Sequence, residues 1–148
     1  MNAMKVSYTL DSTLESVDKA EKAARAMALK AGFREEDSGQ ISLAVREATV
    51  NAVRHGNEYA HDKHVTVLLE TAPEGLTVRV CDEGKGLDAG AIPDPLAPQN
   101  LYKESGRGIF LIRAFMDEVR FRNINPGTEL TMIKYVREAT REGQEASK

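Results

Sequence analysis

Residues 78–87 read VRVCDEGKGL. The first four residues are dominated by β-branched valine and precede turn-forming residues, a pattern that predicts a β-strand. Gly84 and Gly86 end this strand, because a backbone without Cβ atoms turns sharply and lets a ligand approach closely. Asp82 then stands at the strand end, where its carboxylate can accept a hydrogen bond from an amine. Alone, the stretch is a weak signal, since a strand that ends in an Asx turn looks the same.

Two further stretches favour a functional interpretation. Upstream, Glu47 and Asn51 are four residues apart on a predicted helix, so both side chains lie on one face of it. Downstream, Gly106-Arg107-Gly108 opens another predicted helix, whose free backbone N–H groups and positive dipole end suit a phosphate group. The acid and amide alone are typical of a solvated helix face, and two alternate glycines alone are a weak motif. The three stretches in combination predict a nucleotide site.

Each stretch supplies a group that nucleotide chemistry needs. Asp82 offers a specific acceptor for an exocyclic amine of the base. Positive charge near the phosphates can come from Arg107, Lys103 or Lys85. The side-chain oxygen of Asn51 suits Mg²⁺, which takes oxygen ligands and usually bridges to phosphates with few protein ligands. Glu47, one helical turn earlier, can take a proton from an attacking hydroxyl or water. The glycines do not follow a strand as in a dinucleotide-binding fingerprint, and no Walker A motif occurs.

The composition fits one globular domain. The chain has 148 residues, of which 41% are hydrophobic and 29% are charged, and its formal net charge is -3. This balance argues against non-specific binding to nucleic acid, which needs a basic face. The single cysteine, Cys81, excludes an intramolecular disulfide and suits a reducing compartment. Because no apolar run is long enough for a membrane span or a signal peptide, we expect a soluble cytoplasmic protein.

The order of predicted elements indicates an α+β fold. Along the chain we predict a strand, two helices, a hairpin, an irregular segment, a helix and a second hairpin. Strands that pair with their neighbours and helices that are grouped predict a two-layer sandwich, with a mostly antiparallel sheet and helices on one face. Phe110, Ile112 and Phe115 of the third helix are expected in the core. The last strand is expected to alternate through Leu130, Met132 and Tyr135.

Residues 87–105 have a different character from the rest of the chain. They contain three prolines, which exclude a regular helix or a central strand. An irregular segment of this length inside a compact domain is usually functional, so we predict a lid, with a surface loop as the alternative. Residues 137–148 are charged and are predicted to fray as a C-terminal tail. We therefore expect a single domain over residues 1–136, with its lid at about 87–105.

In this order and spacing, the motifs resemble the GHKL (Bergerat-fold) ATPase superfamily, and most closely its anti-sigma-factor serine/threonine kinases of the RsbW and SpoIIAB type. Four motifs carry the resemblance: the N box at residues 47–52, the first glycine box at 82–86, the second glycine box at 106–112, and the pair Gly127-Thr128. Two further runs are typical of this branch, PDP at 93–95 and MDEV at 116–119. The resemblance covers the chain from Lys5 to Val136.

The resemblance implies a Bergerat, or histidine-kinase-like ATPase, fold that holds ATP between the sheet, the helices and the lid. Glu47 would be the general base, Asn51 the Mg²⁺ ligand and Asp82 the adenine contact. Thr128 would support the adenine. The other matching residues would shape the pocket and hold the phosphates: Gly84, Gly86, Gly106, Arg107 and Gly108.

Members of this branch phosphorylate a serine of a small STAS-domain anti-anti-sigma protein, sequester a sigma factor, and commonly act as homodimers. The resemblance therefore implies a protein kinase that is also an anti-sigma factor. From the charge balance and the lack of a long apolar run, we expect no direct contact with nucleic acid or membrane. We expect neither a conventional histidine kinase nor gyrase-like machinery, since the chain has no phosphoacceptor-histidine segment and no transducer domain. Two alternatives stay open: a non-catalytic ATP-gated binding module, and a kinase of a partner-switching system that does not act on a sigma factor.

Overall fold

The computed structural model describes residues 3–86 and 106–136. Within these residues the chain forms five strands, three α-helices and one π-helical turn. Their bounds are β1 (Lys5–Asp11), α1 (Leu14–Lys30), α2 (Glu35–Asn51), the π-helical turn (Ala52–Gly56), β2 (His64–Ala72), β3 (Gly75–Cys81), α3 (Gly106–Phe115), β4 (Glu118–Asn123) and β5 (Thr128–Tyr135). The predicted lid at about 87–105 and the predicted tail at 137–148 lie outside the described residues.

The five strands form one sheet in the order β1-β2-β3-β5-β4, and each neighbouring pair is antiparallel. A two-residue connection joins β2 to β3, because Ala72 pairs with Gly75 across the hairpin. β3 is the central strand and pairs with β5 on its other side, so that Cys81 lies opposite Glu129. The residues that follow β3 and the residues that precede β5 therefore meet at the same end of the sheet.

The core lies between one face of this sheet and the helices, which confirms the predicted α+β sandwich. Alternate residues of β2 and β3 are buried, as the period of two in a strand requires: Val65, Val67, Leu69, Leu76, Val78 and Val80. The facing stripe of α1 is rich in small residues: Val17, Ala20, Ala24, Met27 and Ala28. α2 adds Ile41, Ala44, Val45 and Ala48. Alanines on both helices let the two backbones approach each other closely, since their side chains are short.

Phe110 was expected in the core, and this prediction was wrong, because its side chain is 73% exposed. α3 turns Ile109 and Ile112 towards the core, and Met116, directly after the helix, is also buried. The three residues are spaced by three and four, as one helix face requires. Phe110 lies off that face. The other two predictions for this helix were closer, since Ile112 is fully buried and Phe115 is partly buried against the core.

The prediction that Tyr135 shares a face with Leu130 and Met132 was also wrong. Successive side chains of a strand point to opposite faces, so Tyr135 lies on the sheet face away from the helices. Leu130, Met132 and Lys134 alternate on the inner face, and Lys134 is only 7% exposed. The Lys134 Nζ donates a hydrogen bond of 2.9 Å to the backbone oxygen of Phe115, at the end of α3. An ammonium group suits this place, since the last carbonyls of a helix lack partners within it. The Tyr135 hydroxyl instead donates to the Glu118 carboxylate.

No helix within residues 3–86 and 106–136 combines the length and the apolar character that a membrane span requires.

Candidate functional site

Asp82 follows β3 directly and is 7% exposed. Its Oδ1 accepts two backbone hydrogen bonds, from the N–H of Gly84 at 2.9 Å and from the N–H of Thr128 at 3.2 Å. The backbone N–H of Asp82 donates in return to the backbone oxygen of Thr128 at 3.0 Å. Both hydrogen bonds to the carboxylate that involve the described residues fall on Oδ1. The arrangement leaves Oδ2 as an acceptor for a ligand.

Burial raises the pKa of Asp82 above its ordinary value, while the N–H groups of Gly84 and Thr128 and the charge of Lys63 partly oppose this shift. A carboxyl group whose pKa is raised on folding favours the folded state most at low pH. Its contribution is lost as the pH rises from the unfolded pKa through the higher folded pKa. At neutral pH the buried carboxylate therefore weakens the fold, and a ligand that donates a hydrogen bond to it would offset that cost.

Close backbone contacts form the walls around this carboxylate. A Cβ atom at Gly56 would overlap the Asp82 carboxyl group, and a Cβ atom at Gly84 would overlap the backbone carbonyl of Gly56. Gly127 has a φ of +105°, and a Cβ atom there would overlap the backbone oxygen of Asp82. Glycine at these positions lets three chain segments touch each other around one acid. Gly86 has a φ of +82°, and a Cβ atom there would lie 2.9 Å from the backbone oxygen of Gly127.

Glu47 and Asn51 lie one helical turn apart on α2, and Glu47 faces the start of α3. Glu47 is half-buried, and an added Cβ atom at Gly108 would lie 2.8 Å from its Oε2. The carboxylate therefore lies against the first turn of α3. Gly106 and Arg107 form the start of that turn. The structure thus brings the predicted acid next to the predicted phosphate-binding helix start, although about 60 residues separate them in sequence.

The acid on α2 and the acid after β3 are connected by the π-helical turn. Asn51 is the last residue of α2, and five residues later Gly56 touches the Asp82 carboxyl group. Single π-helical turns inside or at the end of α-helices frequently occur at functional sites. The two halves of the site, one around Asp82 and one around Glu47, are therefore held by one continuous helical segment.

Two predicted site residues have buried side-chain atoms without a hydrogen-bond partner. Across residues 3–86 and 106–136, the buried side-chain nitrogen and oxygen atoms without a partner are Ser38 Oγ, Asn51 Nδ2 and Thr128 Oγ1. A buried polar atom without a partner costs about 1–3 kcal/mol and calls for an explanation. A polar ligand that bonds to Asn51 and Thr128 supplies one. Ser38 lies in the first turns of α2, away from the two site residues in sequence.

The side chains around the site fit a metal ion that needs few protein ligands. The described part of the chain contains no group of three or more His, Cys, Asp or Glu side chains that could hold one. The carboxamide of Asn51 can present its oxygen after a rotation that exchanges its oxygen and nitrogen. One amide oxygen fits Mg²⁺ that takes its remaining ligands from phosphates and water.

Cys81, the residue before Asp82, is a half-buried free thiol on the other face of the sheet. Burial and the neighbouring Glu129 raise its pKa to about 11, so the thiol is neutral at physiological pH. A neutral thiol is a poor nucleophile, so Cys81 contributes a small side chain to the strand and no reactive group.

Sequence reasoning missed two residues of the site, Gly56 and Asn57. Gly56 contacts the Asp82 carboxyl group, and Asn57 is 1% exposed with every polar atom of its side chain bonded. The sequence offers one signal, a Gly-Asn pair directly after the helix that carries Glu47 and Asn51. That signal is typical of any helix end, and only the contacts with distant segments reveal more.

The chain matches a family model described as "Histidine kinase-like ATPase domain" over residues 10–134. Among curated proteins, it is 29% identical over 140 residues to the serine-protein kinase RsbW of Listeria innocua, covering 90% of this chain and 88% of that protein. It is 30% identical over 115 residues to the serine-protein kinase RsbW of Staphylococcus epidermidis, covering 73% of this chain and 72% of that protein.

Solved structures agree on the fold. A crystal structure of the RsbU and RsbW domains of a Mycobacterium tuberculosis protein aligns with 90% of this chain at a TM-score of 0.64 and 22% identity, and the chain spans 33% of that longer protein. The catalytic domain of the histidine kinase ThkA aligns with 91% of this chain and 97% of its own length, at a TM-score of 0.57 and 12% identity. These likenesses show the fold alone.

Proposed function

The chain belongs to the family of histidine kinase-like ATPase domains, and on that premise we propose that it is an ATP-dependent serine/threonine protein kinase and anti-sigma factor. Its substrate would be a serine of a STAS-domain anti-anti-sigma protein, and it would sequester a sigma factor when that partner is phosphorylated. The observation that carries the proposal is the buried Asp82 carboxylate with one fixed oxygen and one oxygen that can accept a ligand's hydrogen bond.

Asp82 and Thr128 support the recognition of adenine. A carboxylate fixed by two backbone donors accepts a hydrogen bond from the exocyclic amine of adenine without having to reorient. The Thr128 hydroxyl, buried without a partner beside it, can bond to a ring nitrogen or to a water that bridges to one. Gly84, Gly86 and Gly127 would shape this half of the pocket.

Glu47, Asn51 and the start of α3 support the chemistry at the phosphates. Gly106, Arg107 and Gly108 would bind phosphate oxygens with backbone N–H groups and the positive charge of Arg107. Asn51 would hold Mg²⁺, which when bound neutralises charge on the phosphates. Glu47 would accept the proton of the attacking serine hydroxyl, while α3 holds the phosphate in line for transfer.

The biological setting is also part of the proposal. The serine-protein kinase names of relatives at 29–30% identity support a protein kinase, and the resemblance of the sequence to the RsbW and SpoIIAB branch suggests a sigma factor and a STAS protein as partners. On the same basis we propose a homodimer in the cytoplasm, a single domain over residues 1–136, a lid at about 87–105 and a short tail after it.

A transfer assay tests the proposal. Purified protein is incubated with labelled ATP, Mg²⁺ and each STAS-domain protein of the same organism, and a parallel reaction contains a chelator in place of Mg²⁺. We expect label on a serine of one STAS protein, and no label when Mg²⁺ is removed or when that serine is replaced by alanine. ATP binding without transfer to any candidate would overturn the kinase and favour the ATP-gated binding module.

Asp82→Asn is expected to weaken ATP binding by about 1.5–3 kcal/mol, or roughly 10- to 150-fold in Kd. Asparagine keeps Oδ1 as the acceptor for the two backbone N–H groups. It replaces Oδ2 by an amide NH2 group, which cannot accept a hydrogen bond from the adenine amine. Since the raised pKa of Asp82 makes the carboxylate unfavourable for folding at neutral pH, we expect the variant to be at least as stable as the wild type. Calorimetric titration and urea unfolding at pH 7 measure the two quantities.

The control is Glu74→Gln, which makes the same charge change at an exposed residue beyond the other end of β3. It should leave ATP affinity unchanged. If Asp82→Asn bound ATP as tightly as the wild type, Asp82 would not be the adenine contact. In the wild-type protein, ATP affinity should also fall as the pH is lowered through the raised pKa of Asp82. Because Oδ1 already accepts two backbone N–H groups, the proton would go to Oδ2, which would then present a donor to the adenine amine.

A further inference from the structure

Asn57 is the centre of a buried polar network. Its side chain is 1% exposed. The Nδ2 group donates to Ser12 Oγ at 2.9 Å and to the backbone oxygen of His64 at 3.0 Å, and Oδ1 accepts from the backbone N–H of Glu83 at 2.7 Å. Ser12 Oγ in turn donates to the backbone oxygen of Lys63 at 2.6 Å. Both amide hydrogens and the amide oxygen of Asn57 are therefore used.

The network joins four separate segments of the chain. Ser12 lies in the turn between β1 and α1, and His64 begins β2. Glu83 follows Asp82, and Asn57 caps the C-terminal end of the π-helical turn. The backbone N–H of Asn57 donates to the backbone oxygen of Ala52 at 2.8 Å, which fixes it to that turn. Bonds between segments so far apart in sequence fix geometry at the place where the segments meet, and this place adjoins Asp82.

One of these bonds acts directly on the peptide group that carries Asp82. The N–H of Glu83 and the C=O of Asp82 belong to one planar peptide unit. Asn57 holds the N–H side of this unit, and Gly127 packs against the C=O side. Gly56, the residue before Asn57, contacts the Asp82 carboxyl group itself. Residues 56 and 57 thus contact both the carboxyl group of Asp82 and the peptide group that follows it.

We propose that Asn57 is a positioning residue for base recognition, and that it orients the Asp82 carboxylate through the N–H of Glu83. At 1% exposure Asn57 has no surface for a ligand, so it acts through Asp82 and does not touch the base. The inference rests on the proposed function, in which Asp82 accepts a hydrogen bond from the adenine amine. The new element is that the preference for adenine depends on Asn57, which does not contact the ligand.

The test compares base preference, defined as the Kd for ITP divided by the Kd for ATP. Inosine carries a carbonyl oxygen where adenine carries its amine, and both nucleotides have the same sugar and phosphates. A loss of carboxylate orientation should lower this ratio without a matching change in the phosphate interactions. A general loss of stability should weaken binding of both nucleotides alike.

Three variants separate positioning from structural support. Asn57→Ala removes the acceptor for the Glu83 N–H and both donors. Asn57→Asp keeps an oxygen for the Glu83 N–H and removes the two donors. Ser12→Ala removes the two bonds of the Ser12 hydroxyl, to Asn57 and to the backbone oxygen of Lys63, and leaves the bond between Asn57 and Glu83 intact. We expect all three to lower the midpoint of thermal unfolding, because each breaks buried hydrogen bonds.

We expect base preference to fall about tenfold or more in Asn57→Ala, and to persist in Asn57→Asp and Ser12→Ala. Asn57→Ser, whose hydroxyl is too short to reach the Glu83 N–H, should behave as the alanine variant does and serves if Asn57→Ala does not fold. Unchanged preference in a folded Asn57→Ala or Asn57→Ser would overturn the inference, as would a preference that simply follows the unfolding midpoint across the set. A wild-type protein without preference for ATP would instead overturn the base recognition in the proposed function.

Discussion

The Glu47→Gln variant is expected to transfer phosphate about 100-fold or more slowly than the wild type, while it binds ATP with the same affinity. A glutamine has nearly the same shape as glutamate, so the contact with Gly108 at the first turn of α3 can persist. The amide cannot accept the proton of a serine hydroxyl. The loss should therefore appear in kcat, with little change in the KM for ATP, as for an interaction used in the transition state.

Glu36→Gln is the matched control for this prediction. Glu36 lies in the first turn of the same helix, is exposed, and undergoes the same change of charge. It should keep the wild-type rate of transfer to the STAS partner in a single-turnover assay. Full transfer by Glu47→Gln would exclude Glu47 as the general base and would assign that role to another group or to the substrate itself.

Gly127→Ala is expected to lower the free energy of unfolding by roughly 3 kcal/mol or more. Two costs combine at this position. A φ of +105° is unfavourable for any residue with a Cβ atom, and that atom would overlap the backbone oxygen of Asp82. The overlap is with backbone directly after the central strand, which cannot move aside as the end of a long side chain can. Urea unfolding, followed by circular dichroism, measures the change.

Gly39→Ala provides the contrast within the same chain. Gly39 lies inside α2, and an added Cβ atom would have nothing within 4 Å. Because alanine favours helix over glycine, this variant should gain about 0.5–1 kcal/mol. A Gly127→Ala protein as stable as the wild type would mean that the turn before β5 can rearrange, and that Gly127 does not fix the position of Asp82.

Short sequence patterns were sufficient to predict features that depend on neighbouring residues, such as the strand before Asp82. The valine-rich stretch before Asp82 was predicted as a strand, and it forms β3. Thr128 begins the neighbouring strand β5. The α+β sandwich followed from the order of elements. Neither α2 nor α3 alone indicates which helix lies beside it. The proximity of Glu47 and Gly108 was predictable only because three weak motifs were interpreted together as one site.

The remaining features depended on information that local pattern does not contain. Phe110 is as apolar as Ile109 and Ile112, and only the exact rotation of α3 decides which of them faces the core. Asn57 owes its role to Ser12, 45 residues away, and to Glu83, 26 residues away. A polar residue after a helix is usually exposed, so nothing within a short window indicates that this one is buried.

The order of the strands also affects how the protein behaves at high concentration. Within the described residues, β1 and β4 are the outer strands, and the unpaired side of an outer strand is a template for aggregation. Lys5 and Asp11 are exposed at the two ends of β1, and Arg120 and Arg122 are exposed along β4. Such charges disfavour the addition of a strand from another molecule. The outer strands thus carry charges that disfavour edge-to-edge association, while β3 and β5 bring Asp82 and Thr128 to the same end of the sheet.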